Sequence, residues 1–388
     1  MQVSLGGVRG ERACSGSIVK RPVPPTAPAW LAPLWPGLAP TPLVALPELA
    51  RQVGVAALWV KDESHRPLGN FKSLGGVYAG LEALKRRTGA ADVESLLAAA
   101  AVAKDPLPAL LCASDGNHGL AVAAGARIAG TTARVYLPAA VPPLREARIR
   151  RRGATIVRVA GTYDDAVAAA AAAAARGEGL LIADTGADPA DGVVADVMAG
   201  YGVMAAEIVD QLASIPPGQR PTHLFVQAGV GGLAAALASG LINHLEAPAR
   251  VIVVEPDQAA CVTAALATGQ IERFPGALET AAEMLSCGEA SAPALRALRA
   301  VSASGLPVSE VWLARAVDVL SEAAGISTTA SGATGIAGLL WVRADPDSAR
   351  RMALAAGSRV LAIITEGPVP TEDDHDRDVL PVHKLTPR

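Results

Sequence analysis

Three short glycine-containing stretches decide the fold of this chain, namely GNFKSLGG (69–76), SDGNHG (114–119) and GVGGL (229–233). Each follows a short apolar run typical of a buried strand and precedes a pattern typical of a helix. Strands that alternate with crossover helices predict parallel sheets and right-handed connections. The chain has 388 residues, which is too long for one core, so we expect two α/β lobes. The cleft between such lobes is the natural place for a small ligand.

The same alternation extends over most of the chain. Predicted strands cover residues 58–61, 110–113, 134–137, 155–159, 180–183, 223–227, 250–255 and 360–364. Predicted helices cover residues 73–87, 118–129, 143–152, 164–176 and 197–212, and one more begins at residue 233. Prolines in the first 47 residues block helix formation and predict an extended arm.

Composition and charge argue against several classes of protein. The formal net charge is −3, so the chain offers no broad cationic surface to a nucleic acid. The first residues contain no apolar segment followed by a cleavage site, so we expect a cytoplasmic protein. Residues 221–245 contain no Asp, Glu, Lys or Arg, but their glycine cluster favours a buried strand, turn and helix over a membrane span. The four cysteines lack the spacing of a metal site or a disulfide scaffold.

Lys72 is the candidate nucleophile. It lies at the start of a predicted helix, flanked by Phe71 and Leu74, where partial desolvation is expected to lower its pKa and free the amine to attack an aldehyde. A lone lysine near a helix start is more often solvated surface, so Lys72 alone decides little.

The other two stretches offer sites for anions. In residues 114–119, backbone N–H groups and short polar side chains converge where a carboxylate would fit, although an ordinary capped turn has the same features. In residues 229–233, glycines let backbone amides approach a phosphate at a helix N-terminus. This second stretch is neither a GxGxxG fingerprint nor a P-loop, which weakens a dinucleotide or ATP interpretation.

Taken together, the three stretches resemble the fold-type-II pyridoxal-phosphate enzymes, the family of the tryptophan synthase β-subunit. The resemblance covers residues 41–367, and within the family the chain is most similar to the diaminopropionate ammonia-lyases. The matching segments are WVKDES (59–64), FKSLGG (71–76), DGNHG (115–119), GTYDDAV (161–167), Gly200, Tyr201, Met204 and Glu207, QAGVGG (227–232) and LSCGE (285–289).

The resemblance implies an architecture of two α/β lobes, with parallel sheets flanked by helices and the active site between the lobes. Residues 1–82 and 182–388 would form the large cofactor-binding domain, with a proline-rich arm at 1–47. Residues 83–181 would form the small domain, whose closure would exclude water. A homodimer is implied in the same way.

The resemblance also implies roles for single residues. Lys72 would hold pyridoxal phosphate as a Schiff base, with Phe71 near its ring and Asn117 bonded to its 3′ oxygen. The phosphate would bind the turn formed by Gly229, Val230, Gly231, Gly232 and Leu233, and the substrate carboxylate would bind Ser114, Gly116 and His118. Asp115 and Asp184 would join Lys72 as catalytic groups. A turn aspartate and a helix-capping aspartate are the plainer interpretations of these two acids.

Several positions depart from the ammonia-lyase pattern. The loop between Glu63 and Lys72 is one residue shorter, as in threonine dehydratases. Ile364 occupies the position of the serine expected at the pyridine nitrogen, and Thr365 is the substitute candidate. Ala330 replaces a glutamate, and Met284 replaces a glycine. Finally, Cys261 and Cys287 lie in segments that approach each other in the ammonia-lyases, so a disulfide is an alternative to the reduced thiols that we expect in the cytoplasm.

These patterns predict a lyase that performs α,β-elimination on 2,3-diaminopropionate or a similar small amino acid and gives pyruvate and ammonia. A β-replacement synthase and a threonine or serine dehydratase are the alternative enzymes. A non-catalytic cofactor-binding protein is a further alternative, against which the retention of Lys72, Asp115 and Asn117 speaks. A nicotinamide-dependent dehydrogenase is disfavoured because the glycine stretch lacks its fingerprint and the acidic ribose partner.

Overall fold

The computed structural model describes residues 39–368. Within this range the strands form two sheets, one with the order β1-β2-β10-β7-β8-β9 and one with the order β5-β4-β3-β6. The strands are β1 (Leu43–Ala45), β2 (Ala57–Asp62), β3 (Leu110–Ala113), β4 (Ala133–Pro138), β5 (Thr155–Val159), β6 (Leu180–Leu181), β7 (His223–Gln227), β8 (Arg250–Pro256), β9 (Ser304–Val308) and β10 (Arg359–Ile364).

Helices flank both sheets. They are α1 (Pro47–Val53), α2 (Lys72–Thr88), α3 (Val93–Val102), α4 (Asn117–Ile128), α5 (Pro143–Arg150), α6 (Tyr163–Ala175), α7 (Gly192–Leu212), α8 (Gly232–Leu241), α9 (Cys261–Thr268), α10 (Ala292–Ala300), α11 (Glu310–Ala324), α12 (Ala330–Ala344) and α13 (Pro346–Met352). Short 3₁₀ turns occupy Glu63–His65, Pro67–Gly69 and Glu283–Leu285. This is the α/β architecture that the sequence predicts.

The strand pairings are parallel with one exception. Strand β1 runs antiparallel to β2, with Leu43 opposite Lys61, whereas β2 and β10 pair in parallel from Ala57 opposite Arg359 onward. The short edge strand β1 covers an open edge of the larger sheet, which protects that edge from pairing with other chains. The sequence analysis missed β1 because it treated this proline-rich segment as an arm without strands.

The predicted strands at 110–113, 155–159 and 223–227 have the observed bounds. Strand β6 is shorter than predicted, because only residues 180–181 pair with β3 before the chain turns away. The sequence analysis gave no prediction for α1, for α3, for β9 or for any helix after residue 260. The four-stranded sheet lies inside the predicted small domain, but the boundaries at 83 and 181 stay a prediction. Most of the predicted arm lies outside the described residues.

Helices α2 and α7 cross at very short range. A Cβ atom on Gly75 would lie 2.5 Å from Cε1 of Tyr201, and one on Gly200 would lie 2.6 Å from the carbonyl oxygen of Leu74. Both positions therefore require glycine. The close crossing brings the Tyr201 ring to 5.0 Å from the ring of Phe71, measured between centroids.

A buried ion cluster anchors the turns that precede Lys72. Lys61, Glu63 and Arg66 have fully buried side chains, and the side chain of Glu207 on α7 is 11% exposed. The Arg66 guanidinium donates to both oxygens of Glu207, at 2.8 and 2.7 Å, and to both oxygens of Glu63, at 2.8 Å each. The Lys61 ammonium donates to Glu207 at 2.6 Å. The cluster therefore joins β2 and the 3₁₀ turns to α7.

Helix α7 is, among the described helices, the one long and apolar enough to cross a membrane by length and composition. Half of its most apolar window is buried inside the fold, and Glu207 on this helix belongs to the ion cluster. These features are those of a core helix. The uncharged stretch 221–245 divides into β7, a glycine turn and α8, as predicted.

Candidate active site

A pocket of about 760 Å³, including its open mouth, lies at the carboxyl ends of parallel strands from both sheets. This position is that of a small-molecule site in an α/β protein. The structure brings all the sequence-predicted site residues to its wall, which are Phe71, Lys72, Ser114, Asp115, Gly116, Asn117, His118, Asp184, Gly229, Val230, Gly231, Gly232, Leu233 and Thr365. Their individual roles stay predictions.

Lys72 meets Asp184 and Tyr163 at the centre of the pocket. The Lys72 ammonium forms an ion pair with Oδ2 of Asp184, and the Tyr163 hydroxyl donates to Oδ1 at 2.6 Å. Burial disfavours the charged amine, but the nearby Asp184 carboxylate outweighs it and raises the pKa of Lys72 above its ordinary value. The lowered pKa expected from the sequence is therefore wrong for the chain without ligands. Lys72 can act as a nucleophile only after this ion pair rearranges.

The surroundings of Asp184 and Asp115 shift the pKa values of these two carboxyl groups in opposite directions. Burial disfavours an ionised Asp184, but Lys72, His118 and the Tyr163 hydroxyl together lower its pKa below the ordinary range. For Asp115, burial and the negative charge of Asp184 raise the pKa to about 7. Two carboxyl groups whose pKa values are pushed apart can serve as a fixed anion and as a proton acceptor in one site.

The loop at 114–119 is shaped by its own side chains. Oγ of Ser114 accepts hydrogen bonds from the amides of Gly116 at 2.9 Å and Gly119 at 2.8 Å. The amides of Asn117 and His118 open α4 and have no intrahelical acceptor, so they can bind a carboxylate. The imidazole of His118 bonds through Nε2 to the carbonyl oxygen of Ile182 at 2.8 Å. That tautomer leaves a lone pair on Nδ1, so a neutral His118 offers its backbone rather than its ring to an anion.

The glycine turn at 229–232 leads directly into α8. Gly231 has φ 98°, a left-handed conformation that disfavours other residues. The turn places the amides of the first α8 residues at the pocket wall, where the positive end of the helix dipole favours a phosphate. Cys261 and Cys287 both contact Gly229, the first through a 3.4 Å hydrogen bond to its carbonyl oxygen. Both are buried free thiols.

Asn117 faces a buried carboxyl group that the sequence analysis did not select as a site residue. Its Nδ2 donates to Oε2 of Glu366, and the Thr329 hydroxyl donates to Oε1. Burial raises the pKa of Glu366 above its ordinary value. The signal available in the sequence was an acid two residues after the last predicted strand, at the edge where ligands bind.

Gln227 organises the pocket floor. Its Nε2 lies 3.1 Å from Oγ1 of Thr365 and 2.9 Å from the carbonyl oxygen of Gly332. Thr365 lines the pocket, whereas its neighbour Ile364 is fully buried in the core behind it. Thr365 therefore stays the candidate partner of a pyridine nitrogen.

Met284 and Ala330 are the two other positions that depart from the ammonia-lyase pattern, and only the first of them lines the pocket. Met284 lines the pocket, and its backbone amide donates to Oγ of Ser331 at 3.1 Å. Ala330 begins α12, directly before Ser331, and is half-buried against the core. Met284, which is bulkier than the expected glycine, therefore reaches the pocket. Ala330 places a short apolar side chain at the start of α12, where a glutamate was expected.

The pocket residues fit pyridoxal phosphate. A lysine amine is available, amides at a helix N-terminus suit the phosphate, and Phe71 and Met284 supply apolar surface for a ring. Buried polar atoms without a hydrogen-bond partner among residues 39–368 include the Tyr201 hydroxyl, Oε1 of Gln227 and Nδ1 of His118. Orphaned polar atoms around one cavity indicate a polar ligand. In the same range no group of three His, Cys, Asp or Glu side chains is placed to hold a metal ion.

Several pocket residues were not selected as site residues in the sequence analysis, and four of them have polar side chains that matter for the site. Tyr163 and Tyr201 come from helices α6 and α7, and Gln227 and Glu366 come from the ends of β7 and β10. Tyr163 and Tyr201 both lie in segments that the family resemblance had picked out, GTYDDAV and GY..M..E. The sequence of a helix with a single tyrosine does not indicate whether that side chain points into a pocket.

Comparisons with known proteins agree with this site. Residues 34–366 match the model of the family described as "Pyridoxal-phosphate dependent enzyme". The chain is 32% identical to diaminopropionate ammonia-lyase of Escherichia coli (strain K12), over 89% of this chain and 88% of that protein. It is 28% identical to a probable D-serine dehydratase of Acidovorax sp. (strain JS42), over 86% of this chain and 73% of that protein. The crystal structure of the E. coli ammonia-lyase in complex with D-serine superposes with a TM-score of 0.78 at 30% identity, covering 89% of each chain.

Proposed function

The chain belongs to the pyridoxal-phosphate dependent enzyme family, and we propose that it is an ammonia-lyase acting on 2,3-diaminopropionate or a similar small amino acid to give pyruvate and ammonia. The observation that carries this proposal is the meeting of the Lys72 amine with two carboxyl groups, Asp184 and Asp115, in one pocket. The similarity to an ammonia-lyase over most of both chains supports it.

When bound, pyridoxal phosphate supplies an electron sink for removal of the Cα proton and loss of the β-substituent. Lys72 would hold the cofactor, and the amides of 229–233 would bind its phosphate. Phe71 packs beside Lys72, with the ammonium 5.7 Å from the ring centroid. The amides that open α4 would bind the substrate carboxylate and orient the Cα–H bond.

The two acids favour an amine as leaving group. Asp184 is held ionised by Lys72 and Tyr163, so it offers a fixed negative charge to a β-ammonium group. Asp115, with a pKa of about 7, can accept a proton near neutral pH. The hydroxyl of serine or threonine carries no positive charge and would gain less from this pair. Elimination of ammonia is therefore favoured over dehydration.

The test is a comparison of substrates. Purified protein loaded with cofactor is given diaminopropionate, serine, threonine, or serine with an added nucleophile, and keto acid and ammonia are measured. We expect kcat/KM to be largest for diaminopropionate, with release of keto acid and ammonia and no need for a nucleophile. A preference for serine or threonine would support a dehydratase instead, and a requirement for the nucleophile would support a β-replacement synthase.

Asp115→Asn tests the proton acceptor. For wild-type protein we expect kcat/KM with diaminopropionate to rise with pH through about 7, as the Asp115 carboxyl loses its proton. The amide of the variant cannot accept this proton, so we expect a loss of about 10²–10⁴-fold and no such limb in the residual activity. Rates measured between pH 5.5 and 9 decide this. An unchanged acidic limb in Asp115→Asn would assign it to another group.

Arg145→Gln tests how the surroundings set the pKa of Asp115. Arg145 packs over Gly116, with Cδ 3.1 Å from the position of a Cβ on that glycine, and its Nη2 donates to Glu283 at 2.5 Å. Its positive charge lowers the pKa of Asp115 against the effect of burial. Removing it should move the acidic limb of kcat/KM above pH 7. Arg150→Gln, on the exposed face of the same helix, is the control, and an equal shift in both variants would contradict the assignment.

We also propose that the protein is cytoplasmic and forms a homodimer. The resemblance to the ammonia-lyases supports both statements. Light scattering after size exclusion measures the mass directly. A value near the 39.2 kDa of one chain would contradict the dimer.

A further inference from the structure

The hydroxyl of Tyr201 is a buried polar group that the proposed mechanism does not use. Tyr201 is 1% exposed and lines the pocket. No residue from 39 to 368 accepts a hydrogen bond from its hydroxyl. The charged group beside it is the Lys72 ammonium, which can only donate, so the O–H proton has no acceptor. A buried hydroxyl without a partner costs stability, so its position needs a ligand or another explanation.

The ring is held firmly in place. It packs against Phe71 on one side, and the close approach at Gly75 fixes its edge. Its Cε2 atom lies 3.8 Å from the position of a Cβ on Gly232. Tyr201 thus stands between Lys72 and the glycine turn that opens α8.

The charges around the turn explain why a neutral donor is useful there. Among the described residues of the pocket wall, Lys72 is the one lysine or arginine, and it is paired with Asp184. A phosphate at the turn must therefore be bound chiefly by neutral N–H and O–H donors. Burial and the charge of Asp184 raise the pKa of Tyr201 to about 12, so the phenol keeps its proton at neutral pH and can donate it.

We propose that the Tyr201 hydroxyl is a further phosphate ligand, which donates a hydrogen bond to the phosphate group of the cofactor bound at the 229–233 turn. This inference rests on the proposed function, since it requires the cofactor to bind in this pocket. It gives the unpartnered hydroxyl an acceptor and adds a side-chain donor to the backbone amides of α8.

Tyr201→Phe removes the hydroxyl and keeps the ring. We expect the affinity of the apoprotein for pyridoxal phosphate to fall about 10-fold, the effect of one hydrogen bond to a charged group. The affinity for pyridoxal, which lacks the phosphate, should stay unchanged. The melting temperature of the apoprotein should rise by roughly 1–3 °C, because an unpaired buried hydroxyl is lost. A purely structural hydroxyl would not produce opposite effects on apoprotein stability and cofactor affinity.

The control is Tyr136→Phe, which changes a buried tyrosine of β4 that does not line the pocket. It should leave both affinities unchanged. Equal affinity of wild type and Tyr201→Phe for pyridoxal phosphate would overturn the inference while leaving the proposed function intact. An equal loss for pyridoxal would also overturn it, because the hydroxyl would then act at the ring or at Lys72. If wild-type protein binds no pyridoxal phosphate, the proposed function itself fails.

Discussion

Replacing Lys72 by alanine is expected to reduce keto-acid formation at least about 10³-fold, because the amine would both hold the cofactor and exchange protons with the substrate. The change also leaves the Asp184 carboxylate buried without its cation, with the Tyr163 hydroxyl as its remaining donor. We therefore expect the pKa of Asp184 to rise in the variant, so that the fixed negative charge for the substrate weakens as well. Both consequences reduce the rate.

Two measurements check this expectation. Borohydride reduction of the loaded wild-type protein, followed by peptide mass spectrometry, should place the cofactor on the peptide that contains Lys72, and this adduct should be missing from Lys72→Ala. Lys85→Ala changes another lysine of α2, one that pairs with Glu82 away from the pocket, and should keep full activity. A reducible adduct on a different lysine of the wild-type protein would remove Lys72 from its proposed role.

Replacing Glu207 by alanine is expected to lower the free energy of unfolding by about 3–5 kcal/mol, the cost of leaving buried charges uncompensated. Glu207 accepts hydrogen bonds from both Lys61 and Arg66, whose side chains are fully buried. Without it, Glu63 is the acid left to balance the two cations in the cluster. Such a loss is a large part of the total stability of an ordinary domain.

Denaturant unfolding of the apoprotein measures this effect, with Asp210→Ala as the control. Asp210 lies on the same helix but is exposed, so its loss should change the stability by less than about 0.5 kcal/mol. A similarly small change for Glu207→Ala would show that water or a rearranged Glu63 compensates for the lost carboxylate in the cluster. Because the cluster anchors the turns before Lys72, cofactor affinity should fall together with stability.

The sequence predicted the α/β fold and the pocket for a definite physical reason. The strands at 110–113 and 223–227 are short, apolar and directly followed by glycine-containing turns, so both the periodicity and the turn chemistry identify them. In parallel sheets such turns gather at one edge. For this reason the three quoted stretches, although far apart in the chain, line one pocket.

The features that were not predicted from the sequence depend on contacts between residues that lie far apart in the chain. The raised pKa of Lys72 arises from Asp184, which is 112 residues away in the chain. Tyr201 enters the pocket only because two helices cross at Gly75 and Gly200. The antiparallel strand β1 was not predicted because the prolines near it indicated an extended arm and not a strand of the sheet.

Because β2 pairs in parallel with β10, the larger sheet can be completed only after the residues of β10 have been synthesised. Strand β2 is made early, yet its neighbour in the sheet starts at Arg359, and the pocket wall takes Thr365 and Glu366 from the residues just after that strand. A growing chain on the ribosome therefore has no complete cofactor site until nearly all of the described chain has been translated. Contacts of such long sequence separation form slowly, so cofactor capture is a late step in the life of each new molecule.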